Sequence, residues 1–249
     1  MAKSSTKDLT VGSPMKLILG FMLPLFLGML FQQFYNMVDT AIVGQTLGIN
    51  ALAGVGSTGS INFLVLGFVQ GVCTGFAIPV AQMFGSKDLH SMRKYVGNTI
   101  WISLIFAAVL TTATCILCSN ILTWMDTPAD CFKEAYDYIF VIFLGIPVTF
   151  LYNILSGIIR SVGDSKTPLY FLIISSLLNI GLDLFMIQVL NMGVSGASWA
   201  TVISQLVSGV LCLFYMIKKF DILHLNREEL QFSGWYIARL CGVGIPMGL

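Results

Sequence analysis

The chain has 249 residues, of which 56% are hydrophobic and only 10% charged, with 13 basic side chains against 12 acidic ones. A soluble domain carries about 25% charged residues, so a water-facing surface cannot be built from this composition and an ordinary soluble enzyme is excluded. The near-cancelling charge leaves no basic patch, which argues against nucleic acid as a partner.

Gaps in the charge pattern predict an all-α membrane protein. A spanning helix needs about 20 apolar residues, and a central charge costs it roughly 2.5–3.5 kcal/mol. Six spans follow in chain order: 17–43, 51–83, 95–124, 136–159, 168–190 and 196–217. The first two are separated by the turn-forming run Gly44-Gln45-Thr46-Leu47-Gly48-Ile49-Asn50, the last two by Asn191-Met192-Gly193-Val194-Ser195-Gly196. Pro24, Pro79 and Pro147 can each kink a span. Gly54, Gly56, Gly59, Gly67, Gly71 and Gly75 recur along span two at spacings that suit close helix packing. The six cysteines sit mostly in apolar runs. Cys115-x-x-Cys118 lacks the polar neighbours that activate a thiol, so they read as small apolar side chains rather than a metal or redox site.

Lysine and arginine set the expected orientation. Lys3, Lys7, Lys16, Lys87, Arg93, Lys94, Arg160, Lys166, Lys218, Lys219, Arg227 and Arg239 all fall on one side, and Lys133 alone on the other. The first side is expected to be cytoplasmic, the N-terminus with it, in a multi-pass protein of the cell membrane. No cleaved signal peptide is expected, because the first apolar run is long and no small-residue cleavage site follows it.

Residues 1–220 form the expected six-helix lobe and 221–236 a cytoplasmic connection, whose polar part (221–231) suits a short helix or a solvated linker equally. Residues 237–249 resume an apolar pattern. Gly242-x-x-x-Pro246 repeats Gly20-x-x-x-Pro24 at an offset of 222, which suggests helix seven of a second, missing six-helix lobe.

Two acids interrupt apolar runs, Asp39 in span one and Asp183 in span five. Intramembrane carboxylates mark ion or substrate pathways. Asn179 and Asp183 are four apart and share a helix face; Asp39, Tyr35, Gln32 and Gly28 form a polar stripe, and Tyr35 and Gln32 become candidates for lining a cavity. Asn153, Thr201, Ser204 and Gln205 break spans four and six. Such oxygens suit a hard cation such as Na⁺, or carboxylates that exchange a proton. At 1.5 Å per residue, Asp183 and Thr201 each lie about 25 Å from the basic side, Asp39 about 34 Å and Asn153 about 10 Å, so convergence requires span one to bend, which Pro24 allows, or tilt, and span four to reach past Arg160 into the cytoplasm.

Four segments then carry a resemblance. Asp39-Thr40-Ala41-Ile42-Val43-Gly44 with Ala51-Leu52-Ala53-Gly54-Val55-Gly56 resembles the first hairpin of the multidrug and toxic compound extrusion (MATE) family. Val80-Ala81-Gln82-Met83-Phe84-Gly85, the run from Gly157 through Arg160-Ser161-Val162-Gly163-Asp164-Ser165-Lys166-Thr167 to Pro168, and Gly193-Val194-Ser195-Gly196-Ala197-Ser198-Trp199-Ala200-Thr201 resemble later loops of the same family. The resemblance implies one lobe of a twelve-helix, two-lobe transporter that exports cationic amphipathic compounds in exchange for H⁺ or Na⁺. It implies an ion-coupling set at Asp39, Asn153, Asn179, Asp183 and Thr201, with Na⁺, if used, at Asp39, Asn179 and Asp183. No cofactor beyond the coupling ion and no enzymatic activity is expected; the partners are organic cations, the bilayer and the missing lobe. Two other functions are weighed. A lipid-linked oligosaccharide flippase would want Lys or Arg in its cavity to hold pyrophosphate, and the expected spans contain none. An intramembrane aspartyl protease would carry Gly-x-Gly-Asp, where this chain has Asn179-Ile180-Gly181-Leu182 before Asp183. A third possibility is an inert assembly partner.

Overall fold

Apolar runs broken by glycine and proline give helices whose ends fall at those residues. The computed structural model describes residues 13–249, so Lys3 and Lys7 lie outside the described residues. Helix α1 (Pro14–Leu47) continues unbroken through Pro24 and stops at Gly48, whose φ of 86° is the left-handed conformation that glycine adopts without penalty. The expected second span is divided into α2 (Ile49–Ser57) and α3 (Gly59–Gly85). At the junction the hydroxyls of Ser57 and Thr58 donate to the carbonyls of Gly54 and Val55, competing with the helical ladder.

Helix α4 (Leu89–Trp124) is capped by Asp88, which accepts from the Ser91 N–H at 3.0 Å. Hydrogen bonds from the Ser91 side chain and backbone hold the Asp88 carboxyl below the ordinary carboxylate range. The expected fourth span is a broken one: α5 (Phe132–Leu144) and α6 (Ile146–Ser161) meet at Gly145 with a bend of 47°. Pro147 in the first turn of α6 has no N–H to continue the ladder, and Val202 fills the space where a side chain at Gly145 would stand. Of the three prolines expected to kink a span, only this one coincides with a break.

Helix α7 (Lys166–Leu184) starts under a cap from Asp164, which accepts from the backbone N–H of Lys166 and Thr167 and from the Thr167 hydroxyl. It runs into a π-helical turn at Phe185–Val189, which starts two residues after Asp183. Helices α8 (Val194–Lys219) and α9 (Gly234–Gly248) complete the chain. Five helices are long and apolar enough to cross a membrane and the bent α5–α6 pair makes a sixth crossing. The molecule is an all-helical, multi-pass membrane bundle, with no strand among the described residues. Lys87, Arg93, Lys94, Lys166, Lys218 and Lys219 mark one end, the basic end.

Lipid tails are as apolar as leucine, so helix association here depends on close packing rather than on leaving water. Helix α3 is the centre of that packing, with α6 on one side and α9 on another. The α3–α9 seam is made by glycine: a side chain at Gly71 would collide with the Met247 carbonyl, one at Gly75 with the Gly244 backbone, and one at Gly244 with the Phe76 ring. Gly54 similarly admits α5, whereas Gly56, Gly59 and Gly67 face open space.

The segment between α8 and α9 forms no α-helix; after a 3₁₀ turn at Asp221–Leu223 it lies as a strap along α4. Arg93 Nε donates to the Ile222 carbonyl at 2.8 Å, Trp101 Nε1 to the Leu230 carbonyl at 2.7 Å, and the Ser233 N–H to Asn98 Oδ1 at 2.8 Å. Glu229, buried, accepts from the Asn226 N–H at 2.7 Å and pairs with Arg93 at 3.5 Å. The cysteines are all free, and no cluster of metal-ligating residues occurs among the described residues.

Candidate functional site

Helices α1 and α7 run side by side in the same direction. Gly28 lies against Leu169 and Leu172 near the basic end, where a Cβ would stand 3.6 and 3.8 Å from them. Eleven residues beyond Gly28 comes Asp39, and eleven beyond Leu172 comes Asp183, so both rise about 16 Å from that contact. Their carboxyl groups are electrostatic neighbours. The apparent mismatch in depth dissolves without a break at Pro24. Lys16 precedes the shared contact by twelve residues and Lys166 precedes Leu172 by six, so α1 extends about 9 Å further at the basic end.

Asn179, one turn before Asp183, donates from Nδ2 to Thr201 Oγ1 at 3.3 Å. The Tyr35 hydroxyl meets the same oxygen at 3.1 Å. Asp39, Asn179 and Asp183 are all buried, the last two completely. Tyr138 of α5 is an electrostatic neighbour of Asp39, Tyr35 and Asp183 and closes another side of the pocket. Asp39, Asn179, Asp183, Thr201 and Tyr35 are thus brought together. Asn153 instead donates to the Thr149 carbonyl of its own helix at 2.8 Å, while Thr149 bonds Gln205 of α8 at 2.9 Å. Gln32 is exposed.

Four oxygens in this pocket are buried without a hydrogen-bond donor among the described residues: Asp39 Oδ1, Asn179 Oδ1 and both oxygens of Asp183. Two carboxylates in contact repel, and the repulsion is stronger away from water. One positive charge placed among these atoms removes the repulsion and satisfies the oxygens. The donor set consists of hard oxygens, which suits a proton or Na⁺ and offers nothing to a soft metal.

A second polar surface lies on another face of α1. An open groove of about 610 Å³ is lined by Gln33, Asn36, Met37, Thr40, Gln45 and Leu52 among others, so Gln32 and Tyr35 are not among its walls. Sequence reasoning passed over these residues, over Tyr138 and over the π turn after Asp183. A Tyr at the start of an apolar run is a usable signal for Tyr138; a π turn has none.

One assignment requires correction. Arg160, placed by the charge pattern in a connection outside the spans, belongs to the last turn of α6, and its side chain turns back along that helix. Helix α6 therefore reaches past residue 159, the expected end of span four. The pattern of charge gaps locates the apolar span, not the direction of a long side chain at its end.

Comparison with known proteins decides the family. The MatE family model matches residues 24–185. The chain belongs to the MatE family. It is 30% identical over 236 residues to the probable multidrug resistance protein YoeA of Bacillus subtilis, covering 92% of this chain and 51% of that protein. It is also 30% identical over 246 residues to the probable multidrug resistance protein YpnP of the same organism, covering 97% and 54%. A crystal structure of MATE in the bent conformation superposes with a TM-score of 0.87 at 25% identity, covering 95% of this chain and 53% of that one. The chain spans about half the length of the curated relatives it matches, which corresponds to one lobe of the MatE architecture.

Proposed function

We propose that this lobe is the ion-coupling half of a multidrug efflux transporter that exports cationic amphipathic compounds by antiport with H⁺ or Na⁺. The observation that carries this reading is the contact between two buried carboxyl groups, Asp39 and Asp183, among oxygens that no donor satisfies. Asn179 and Thr201 supply neutral oxygens beside them, whereas Asn153 is bonded to the Thr149 carbonyl of its own helix. The basic end faces the cytoplasm of a cell-membrane protein, by the excess of Lys and Arg there.

Helix α1 is the wall between this site and the groove at Gln33, Asn36 and Thr40. That groove presents amide and hydroxyl oxygens beside Met37 and Leu52 and no cationic side chain, a lining that accepts an amphipathic organic cation; thioether side chains adapt to varied shapes. A cation entering the acid pair neutralises it and lets α1 bend at Pro24, where the i−4 carbonyl of Gly20 has no N–H partner and open space surrounds Gly20. The bend alters the groove one residue away, at Thr40. Coupling follows only if ion and drug favour different positions of α1.

Efflux of a fluorescent organic cation from vesicles holding the full-length transporter tests the proposal. Export driven by an imposed H⁺ or Na⁺ gradient and abolished in Asp39→Asn is expected. Export at the same rate in that variant would overturn the assignment.

A further inference from the structure

A second uncompensated charge lies at the other end of the same bundle. The Ser161 hydroxyl donates to the Ala77 carbonyl at 2.9 Å, which places the end of α6 eight residues, about 12 Å, short of the basic end of α3. Arg160, part-buried, is the residue before this contact. A long cation near a membrane surface ordinarily extends toward water. Arg160 instead reaches back over the preceding turn, donating from Nε to the Ser156 carbonyl at 3.1 Å and from Nη2 to Ser156 Oγ at 2.9 Å. Its electrostatic neighbours are Tyr152 of α6, Cys212 of α8 and Cys73 of α3, none of them an acid.

The guanidinium has five N–H donors, and among the described residues these two bonds use only two. Among the described residues the one ion pair is Arg93 with Glu229, so no carboxylate neutralises Arg160. The acid nearest in sequence, Asp164, is taken by the cap of α7 and by the Tyr215 hydroxyl at 3.0 Å. Arg160 is only part-buried, so its free N–H groups face an opening that water or an anion can fill, and an oxyanion there supplies the charge that the described residues do not.

We propose that Arg160 is an oxyanion site, open from the basic end, that takes a phosphate group. Ser156 fixes the plane of the guanidinium from one side. The unused N–H groups then present the planar fork that binds two oxygens of one phosphate. Phosphate is the oxyanion of a phospholipid surface, and either an anionic lipid headgroup or a free phosphate ion supplies the same chemistry. The inference stands apart from the antiport reading, since it uses neither the acid pair nor the groove.

The test is modification of the purified chain with an arginine-directed dicarbonyl reagent, read at each arginine by peptide mass spectrometry. Arg227, exposed on the strap, is the internal control. In neutral detergent Arg160 reacts, and inorganic phosphate at ten times its Kd slows that reaction about ten-fold; this outcome identifies a free-ion site. Protection in phosphatidylglycerol nanodiscs but not in phosphatidylcholine nanodiscs, with no effect of phosphate, identifies the lipid headgroup. In Arg160→Lys, which keeps the charge and loses the fork, the thermal stabilisation by the protecting agent disappears. Arg160 reacting equally in every condition, or not reacting even without an oxyanion, would overturn the proposal.

Discussion

The strap on α4 and the pocket between α1, α7 and α8 are both polar and both buried, yet they are built in opposite ways. In the strap, Glu229 accepts from the Asn226 N–H and meets Arg93, while Asn98 donates to the Lys94 and Gln231 carbonyls and accepts from the Ser233 N–H. In the pocket, Asp183 is wholly buried and neither of its oxygens has a donor. Burying a polar atom is costly unless it is bonded. The strap meets that cost with its own residues and so is architecture. The pocket leaves it unmet, which is what a site for an exchangeable cation requires.

Removing a carboxylate therefore has opposite effects on stability in the two places. The largest effect is on transport: Asp39→Asn and Asp183→Asn each lower gradient-driven export at least 100-fold, a loss of about 2.7 kcal/mol or more, in vesicle efflux. Neither variant unfolds the lobe, and each raises thermal stability in cation-free buffer because a repulsion is removed. Glu229→Ala instead destabilises by about 1–3 kcal/mol, since Arg93 and the Asn226 N–H lose their acceptor while Arg93 keeps some solvent; denaturation in detergent reads the difference.

Next comes the glycine seam. Gly75→Val overpacks the α3–α9 contact and costs about 1–3 kcal/mol, whereas Gly67→Val, in open space, leaves thermal stability almost unchanged. Thr201→Val removes the shared partner of Tyr35 and Asn179 and is expected to weaken cation binding about ten-fold, or about 1.4 kcal/mol, as measured by titration. The smallest effect is at the cap of α4. The Asp88 carboxyl is held below its ordinary range in the folded state, so its stabilisation is present at neutral pH and disappears as pH falls through that lowered value. Asp88→Asn flattens this acid-side dependence in a thermal melt.

Much of this was legible without coordinates. The charge gaps located all six crossings, because a charge inside lipid is too expensive to ignore, and the spacing of Asn179 and Asp183 placed them on one face. The junctions were less legible. Thr58 divides the second apolar run through hydroxyl bonds to its own helix, and no hydropathy pattern registers that. Meeting of Asp39 with Asp183 depends on the offset between α1 and α7, a tertiary quantity set by the contact of Gly28 with Leu169 and Leu172. The direction of Arg160 is decided by Ser156, four residues before it, and is likewise invisible to a rule that counts charges outside spans.

The central claim is that the acid pair binds one monovalent cation. The most direct measurement is cation stoichiometry on the purified chain in detergent, from radioactive sodium bound and protons taken up as pH is stepped, in the wild type and in Asp39→Asn. The account predicts one H⁺ or Na⁺ per wild-type chain and its loss in the variant. Equal uptake by both would contradict it.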